Sequence, residues 1–397
     1  MTKFLVLIGD GMSDLPLKEL GGRTPLEAAK TPNMDFLAKH GVCGLVNNVP
    51  PGLEPGSDVA AMSIFGYDAK KYYTGRGPLE AASLGVELNP NEVAFRCNLV
   101  TIENGRMKDF TADHISTAEA KNIFKFLNAK IGSKNIRFYP GLSYRNLLVM
   151  RTESRKQTAG LRDLKTTPPH DITGRAIGKF LPKGRGAERL VSLMNESEVL
   201  LHQMKSQATT IWPWGQGEAP KMPAFRKKFK KKAAVITAVH LLKGLGKIIG
   251  MKIINVPGAT GYLDTNYRGK AEYALRELKR SDVVFVHVEA QDEAGHEGDA
   301  RKKIRAIEDF DKLVVGTILL RVRGMGDGVR VLVLPDHPTP CKLMTHTSDA
   351  VPFVIYPSRV TRHPLRVTGY NEKAIKRAKL KIQKGHELLA KFLGGKL

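Results

Sequence analysis

The chain has 397 residues, 42% of them hydrophobic. That is an ordinary globular composition, and the length exceeds the roughly 250–300 residues at which a single core stops growing, so two domains are expected. Lys plus Arg number 63 against 39 Asp plus Glu, a net charge of +24, but the excess is spread out and its densest run, Arg226–Lys232, is short. This predicts a solvated basic surface that attracts small anions, and argues against nucleic acid as the main partner. No stretch approaches the ~18 consecutive apolar residues of a membrane span. The apolar start runs into Gly9-Asp10-Gly11 instead of a cleavage site. Cys43, Cys97 and Cys341 lack the spacing of a disulfide framework or a zinc ribbon, so a cytoplasmic protein with no membrane partner is expected; the oligomeric state stays open.

In chain order, Phe4-Leu5-Val6-Leu7-Ile8 is a continuous apolar run, the mark of a strand buried on both faces. It ends on Asp10, where ligands gather at the carboxyl ends of parallel strands. A helix is expected over Pro25–His40 and a strand over Gly44–Asn47. The loop Pro50–Gly56 then stops at Ser57, which opens a helix. From about Lys70 to Asn255 the texture changes: strands at Ala94–Ile102 and Tyr144–Arg151, helices at Thr117–Asn128 and Gly186–Lys205, and loops rich in Pro and Gly. Buried strands return at Val283–Val288, before Asp292 and His296, and at Val329–Leu334, before Asp336 and His337. His346 follows in a loop, and Asn371–Phe392 reads as a basic amphipathic helix. The expected architecture is an α/β sheet domain with helices on both faces, residues 1–68 and 256–397, interrupted by an inserted α+β domain, residues 69–255.

Each polar candidate has an ordinary explanation when taken alone. Ser57 would be a helix N-cap, Asp336-His337 a turn with an Asx bond, and His346 a loop histidine. Asp292 and His296 share a face only if their segment is helical. Their joint occurrence at strand exits and loops is the informative fact. Asp10, Ser57, Asp292, His296, Asp336, His337 and His346 supply enough oxygen and imidazole ligands for two divalent metals around one hydroxyl, which points to phosphoryl chemistry.

The same order of residues resembles the alkaline phosphatase superfamily. Within it, LIGDGMSD, TPLEAAKTPNMD, PGSDVAAMSIFGYD, YYTGRGPLEAASLGV, FRCNLVT, HDITGR, WPWGQG, LLKGLGKIIGMK, PGATGYLDTNYRGKA, EAQDEAGHEGD and THTSDAVPF resemble the archaeal-type, 2,3-bisphosphoglycerate-independent phosphoglycerate mutases over nearly the whole chain. The resemblance implies an alkaline-phosphatase-like sheet domain with the insert as a substrate-binding lid. It implies interconversion of 2- and 3-phosphoglycerate in glycolysis and gluconeogenesis through a phosphoserine on Ser57. One metal falls on Asp10, Ser57, Asp336 and His337, the other on Asp292, His296 and His346. Manganese is expected, with magnesium, cobalt or zinc as alternatives, and no 2,3-bisphosphoglycerate. Substrate contacts fall on His114, Arg268, Lys270, Arg145, His170 and Asp171.

The sequence departs from the family pattern at Asp113, where glycine is usual, at Arg175, where lysine is usual, over Leu201–Thr210, and at His240, where aspartate is usual. None of these lies in the metal set; they bear on substrate contacts and turnover. Two other classes stay open at this point: a phosphatase or mutase of the same superfamily acting on another phosphate or phosphonate, and a binding protein with a vestigial site.

Overall fold

A computed structural model describes residues 2–323, 328–357, 367–395 and 397. The chain forms two compact units, Met1–Tyr73 with Met222–Leu397, and Thr74–Lys221. Thirteen strands lie among the described residues: β1 (Lys3–Gly9), β2 (Val42–Val46), β3 (Glu92–Glu103), β4 (Arg106–Asp109), β5 (Ile136–Leu142), β6 (Arg145–Arg151), β7 (Thr210–Gly217), β8 (Ala233–Ile236), β9 (Lys252–Ile254), β10 (Val283–Val288), β11 (Val329–Leu334), β12 (Val351–Tyr356) and β13 (Lys381–Ile382).

The discontinuous unit is built on an eight-stranded sheet in the order β13-β2-β12-β11-β1-β10-β8-β9. β1 lies between β10 and β11 and is parallel to both, with Ile8 opposite His287 on one side and Leu334 on the other. This register sets the exits of all three strands side by side. Alternate residues supply two cores, because successive side chains in a strand point to opposite faces. Leu5, Leu7, Val284, Val286, Val331 and Val333 are buried with Ala271, Phe310 and Val314 of the flanking helices. On the other face Phe4 meets Phe392, ring centroids 5.3 Å apart, and Phe285 meets Phe65 at 4.8 Å. Truncating one such buried leucine to alanine costs about 2–5 kcal/mol. No helix among the described residues is long and apolar enough to cross a membrane.

The sequence placed residues 233–254 in the insert, whereas β8 pairs in parallel with β10 and β9 with β8. These two strands are short, and the strand that ties them to the sheet, β10, lies about 50 positions beyond β8 along the chain. The expected helix over Pro25–His40 is two helices. Thr24 and Glu27 form a reciprocal capping box on Pro25–Ala28, and Pro32 starts Pro32–His40. A proline has no N–H to donate and pushes the residue before it out of helical geometry. The tail also differs from the expected single helix. It is a helix Glu372–Lys376, the strand β13 and a helix Leu388–Leu393, because β13 satisfies the edge of β2 through Leu45 N–H to the Leu380 carbonyl, 2.9 Å.

The inserted unit is an antiparallel sheet, order β4-β3-β6-β5, with β7 also paired to β3. Helices Thr117–Ile131 and Ala187–Met204 bury Phe124, Leu127, Leu190 and Leu193 with Phe95 and Trp212 of the sheet.

Glu372 gives a pH-dependent stability. Its carboxylate accepts from Thr24 Oγ1 at 2.7 Å and from Asp14 N–H at 3.1 Å, yet burial pushes it up from 4.5 to about 7. A folded value above the unfolded one favours the protonated form in the native state. The stabilisation is therefore complete below pH 4.5 and is lost as pH rises through about 7. Glu372→Gln should remove this slope, narrowing the stability difference between pH 5 and pH 8 by roughly 1–3 kcal/mol. Urea unfolding of both proteins at the two pH values checks it; equal slopes would refute it.

Candidate metal centre

Three neighbouring strand exits deliver most of the site. Asp10 follows β1, and its amide binds the Val288 carbonyl of β10 at 2.9 Å. Gly11, at φ +59°, donates its N–H to Asp336 Oδ1 at 3.0 Å. A Cβ there would lie 2.6 Å from both Asp292 Oδ1 and Thr339 Oγ1, so only glycine lets the loop pass this close to the ligands. Asp292 and His296 sit four residues apart in the helix Ala290–His296, with His296 Nε2 3.3 Å from Asp292 Oδ2. His346 Nε2 reaches Asp292 Oδ1 at 3.4 Å.

Ser57 is the first helical residue, not the cap; Gly56 holds that position, and no side chain caps this helix. The hydroxyl is therefore not engaged as a cap. It lies 3.3 Å from His337 Nε2, which is also 3.6 Å from Asp10 Oδ1 and 3.3 Å from Asp336 Oδ2.

The donor set fits divalent metal ions on three observations. First, His296 Nδ1 lies 3.1 Å from the Met344 carbonyl and His346 Nδ1 3.3 Å from the Pro55 carbonyl. A carbonyl only accepts, so each ring holds a proton on Nδ1, and Nε2 is the nitrogen left to take a second proton or a metal. Those two Nε2 atoms face each other at 2.9 Å beside Asp292, an arrangement that needs a cation. Second, Asp10 Oδ1 is buried with no hydrogen-bond partner. Third, donor separations of 2.9–3.6 Å are close to the ~3.3–3.6 Å expected around a four-coordinate ion with bonds of about 2.0–2.2 Å.

The electrostatics agree. Burial, followed by the charges of Asp336, Asp292 and Glu289, pushes Asp10 well above the usual carboxylate range. Burial acts the same way on Asp292, but hydrogen bonds from His296 and His346 outweigh it and hold that carboxyl well below its usual value. Burial would lower His296, and its bond to Asp292 overrides this to raise it to about 9. His337 is lowered by burial. Without a metal, a proton shared with His296 balances Asp292.

His287 was missed in the sequence. Its Nε2 lies 2.9 Å from Asp10 Oδ2 and its Nδ1 3.2 Å from Thr237 Oγ1. Asp10, His287 and Asp336 together form one compact donor group, and Asp292, His337 and His346 another. His337 is close to both halves; its 3.3 Å approaches to Ser57 and Asp336 favour grouping it with Asp10. The available signal was a single polar residue inside the otherwise apolar run VVFVHV.

Lys270, one of the expected substrate contacts, lies within the sheet unit. It is fully buried, its ammonium binds the His287 carbonyl at 3.1 Å, and burial lowers it to about 8. Arg268, on the same helix Tyr267–Glu277, is exposed.

In the inserted unit, His114 is exposed at φ +50°, following Ala112 and Asp113 at +50° and +55°. Asp109 holds this turn by accepting from Thr111 and Asp113 N–H. The left-handed backbone at Asp113 accounts for the glycine usual there. Tyr144, whose ring lies under the Arg145 guanidinium at 5.2 Å, and His170 both pack on Phe110, at 5.9 Å each. His170 Nε2 is 3.7 Å from Asp171, and Asp171 and Arg175 are exposed.

A family model described as 2,3-bisphosphoglycerate-independent phosphoglycerate mutase matches residues 38–206. Proteins of that name from Methanosarcina barkeri and Methanothermobacter thermautotrophicus are 49% and 48% identical, over 98% of this chain and 98% and 96% of their own lengths. A solved Pyrococcus horikoshii protein superposes with a TM-score of 0.78 at 30% identity, covering 99% of this chain and 97% of its own. The cofactor-independent phosphoglycerate mutase of Thermoplasma acidophilum does so with a TM-score of 0.65 at 26% identity, covering 99% and 100%. With near-half identity sustained over almost the full length of its relatives, the chain belongs to the 2,3-bisphosphoglycerate-independent phosphoglycerate mutases, a family of isomerases.

Proposed function

We propose that this chain interconverts 2-phosphoglycerate and 3-phosphoglycerate, in the cytoplasm, by passing the phosphoryl group through Ser57. The observation that carries the proposal is the convergence of the unpaired Asp10 Oδ1 and the facing Nε2 atoms of His296 and His346 in the cluster whose His337 lies against the Ser57 hydroxyl. Asp10, Ser57, Asp336 and His337 would hold one divalent ion, and Asp292, His296 and His346 a second. Mixed carboxylate and imidazole donors suit manganese, with magnesium, cobalt or zinc as alternatives. Such ions supply charge stabilisation for the alkoxide and for the transferring phosphoryl group.

The residues of the chain do the rest. The Ser57 Oγ–phosphorus bond forms as the ester bond to glycerate breaks, and the other glycerate hydroxyl then takes the phosphoryl group back. The helix Ser57–Ile64 begins at the nucleophile, where its unpaired amides favour negative charge. The glycerate must be retained between the two halves, away from water. The insert is the proposed lid, with His114, Arg145, His170 and Asp171 as its contacts and Arg268 and Lys270 as those from the sheet unit. Purified protein, stripped of metal, given manganese and 3-phosphoglycerate, and with no 2,3-bisphosphoglycerate added, should produce 2-phosphoglycerate by phosphorus NMR. Release of inorganic phosphate alone would overturn the mutase reading in favour of a phosphatase.

A further inference from the structure

Behind the metal centre lies a buried ion pair that touches none of the proposed ligands. Lys303, in the helix Ala300–Asp309, has no exposed surface, and Asp14 is 6% exposed. The ammonium of Lys303 donates to Asp14 Oδ2 at 2.7 Å, the Thr339 carbonyl at 2.8 Å and the Ser13 carbonyl at 3.2 Å. An ammonium has three protons, and here each has one acceptor. The acceptors come from the two loops that carry ligands: Ser13 and Asp14 follow Asp10, and Thr339 follows Asp336 and His337. The loops are also tied directly, through Thr339 N–H to the Ser13 carbonyl at 3.2 Å and Cys341 N–H to Asp14 Oδ2 at 3.1 Å. From this fixed backbone the Thr339 hydroxyl donates to Asp292 Oδ1 and lies 3.3 Å from His337 Nδ1.

We propose that Lys303 is a positioning residue for the metal centre, clamping the Asp10 and Asp336 loops together and, through Thr339, setting the orientation of Asp292 between the two halves of the site. A buried ion pair is weak support for stability, since neutral replacements of similar shape often fold as well. Its placement here, with every proton spent on a ligand-bearing loop, has a different consequence. Groups that orient metal ligands typically control metal affinity by 10–100-fold.

The inference rests on the metal-centre reading above, and the test separates the two. Manganese is titrated calorimetrically into chelator-stripped wild type, Lys303→Met/Asp14→Asn and Thr339→Val, with unfolding midpoints measured in chelator. The double variant removes both buried charges together, and asparagine keeps an acceptor for the Cys341 amide. Thr339→Val removes only the hydroxyl on Asp292. Each variant is expected to bind manganese roughly 10–100-fold more weakly, with excess manganese restoring turnover; a merely structural pair would move the midpoint in chelator and leave the affinity of the folded protein alone. Wild-type affinity in a folded double variant overturns the clamp. If that variant does not fold, wild-type affinity in Thr339→Val overturns it instead. Wild type that binds no manganese sinks the metal-centre reading and the clamp with it.

Discussion

Ser57→Ala is expected to abolish isomerisation while leaving the protein folded. The serine is the first residue of its helix and caps nothing, so its loss removes no helix-terminal hydrogen bond and should change stability by no more than about 1 kcal/mol. Its hydroxyl is, however, the group on which the proposed phosphoryl intermediate forms. Removing a nucleophile that receives the transferred group should lower kcat by roughly 10⁴-fold or more. Turnover measured alongside urea unfolding checks both halves. Near-normal turnover in the folded variant would rule out the assignment, and wild-type protein incubated with substrate and quenched in acid should carry phosphate on Ser57.

The second large effect separates metal chemistry from substrate retention. Asp292 accepts from the Thr339 hydroxyl and lies against the His296 and His346 imidazoles. Asp292→Ala should therefore strip one proposed ion of its carboxylate and release the two imidazoles from each other. Isomerisation and phosphate release should fall together, by about 100-fold or more. His114→Ala and Arg268→Ala leave the donor set intact. If these side chains hold the glycerate, their loss should lower isomerisation more than phosphate release, raising the ratio of hydrolysis to transfer several-fold. Both products are quantified for each variant. An unchanged ratio in His114→Ala and Arg268→Ala would mean that neither retains the substrate, and a changed ratio in Asp292→Ala would mean that the metal site does not serve both reactions alike.

What the sequence determined by itself follows from short-range physics. β1, β10 and β11 are legible because strands buried on both faces must be continuously apolar, and their bounds at Val283–Val288 and Val329–Leu334 match the expectation. Asp10, Asp292, Asp336 and His337 are legible because a polar residue within a few positions of the end of such a run lies near a strand exit. The helices at Thr117–Ile131 and Ala187–Met204 carry their own periodicity. Only the tertiary structure decided the rest, because those features depend on partners far along the chain. β8 and β9 join the large sheet through β10, and the tail gives up helix to pair with β2. Lys270, which reads as an anion contact, also donates to the His287 carbonyl of β10. His287 reaches Asp10 from 277 positions away, and Lys303 reaches the Ser13 carbonyl from 290. Local pattern singles out the candidate ligands, whereas their neighbours His287, Lys270 and Lys303 are polar side chains on buried faces that meet the site only once distant strands and loops have been brought into register.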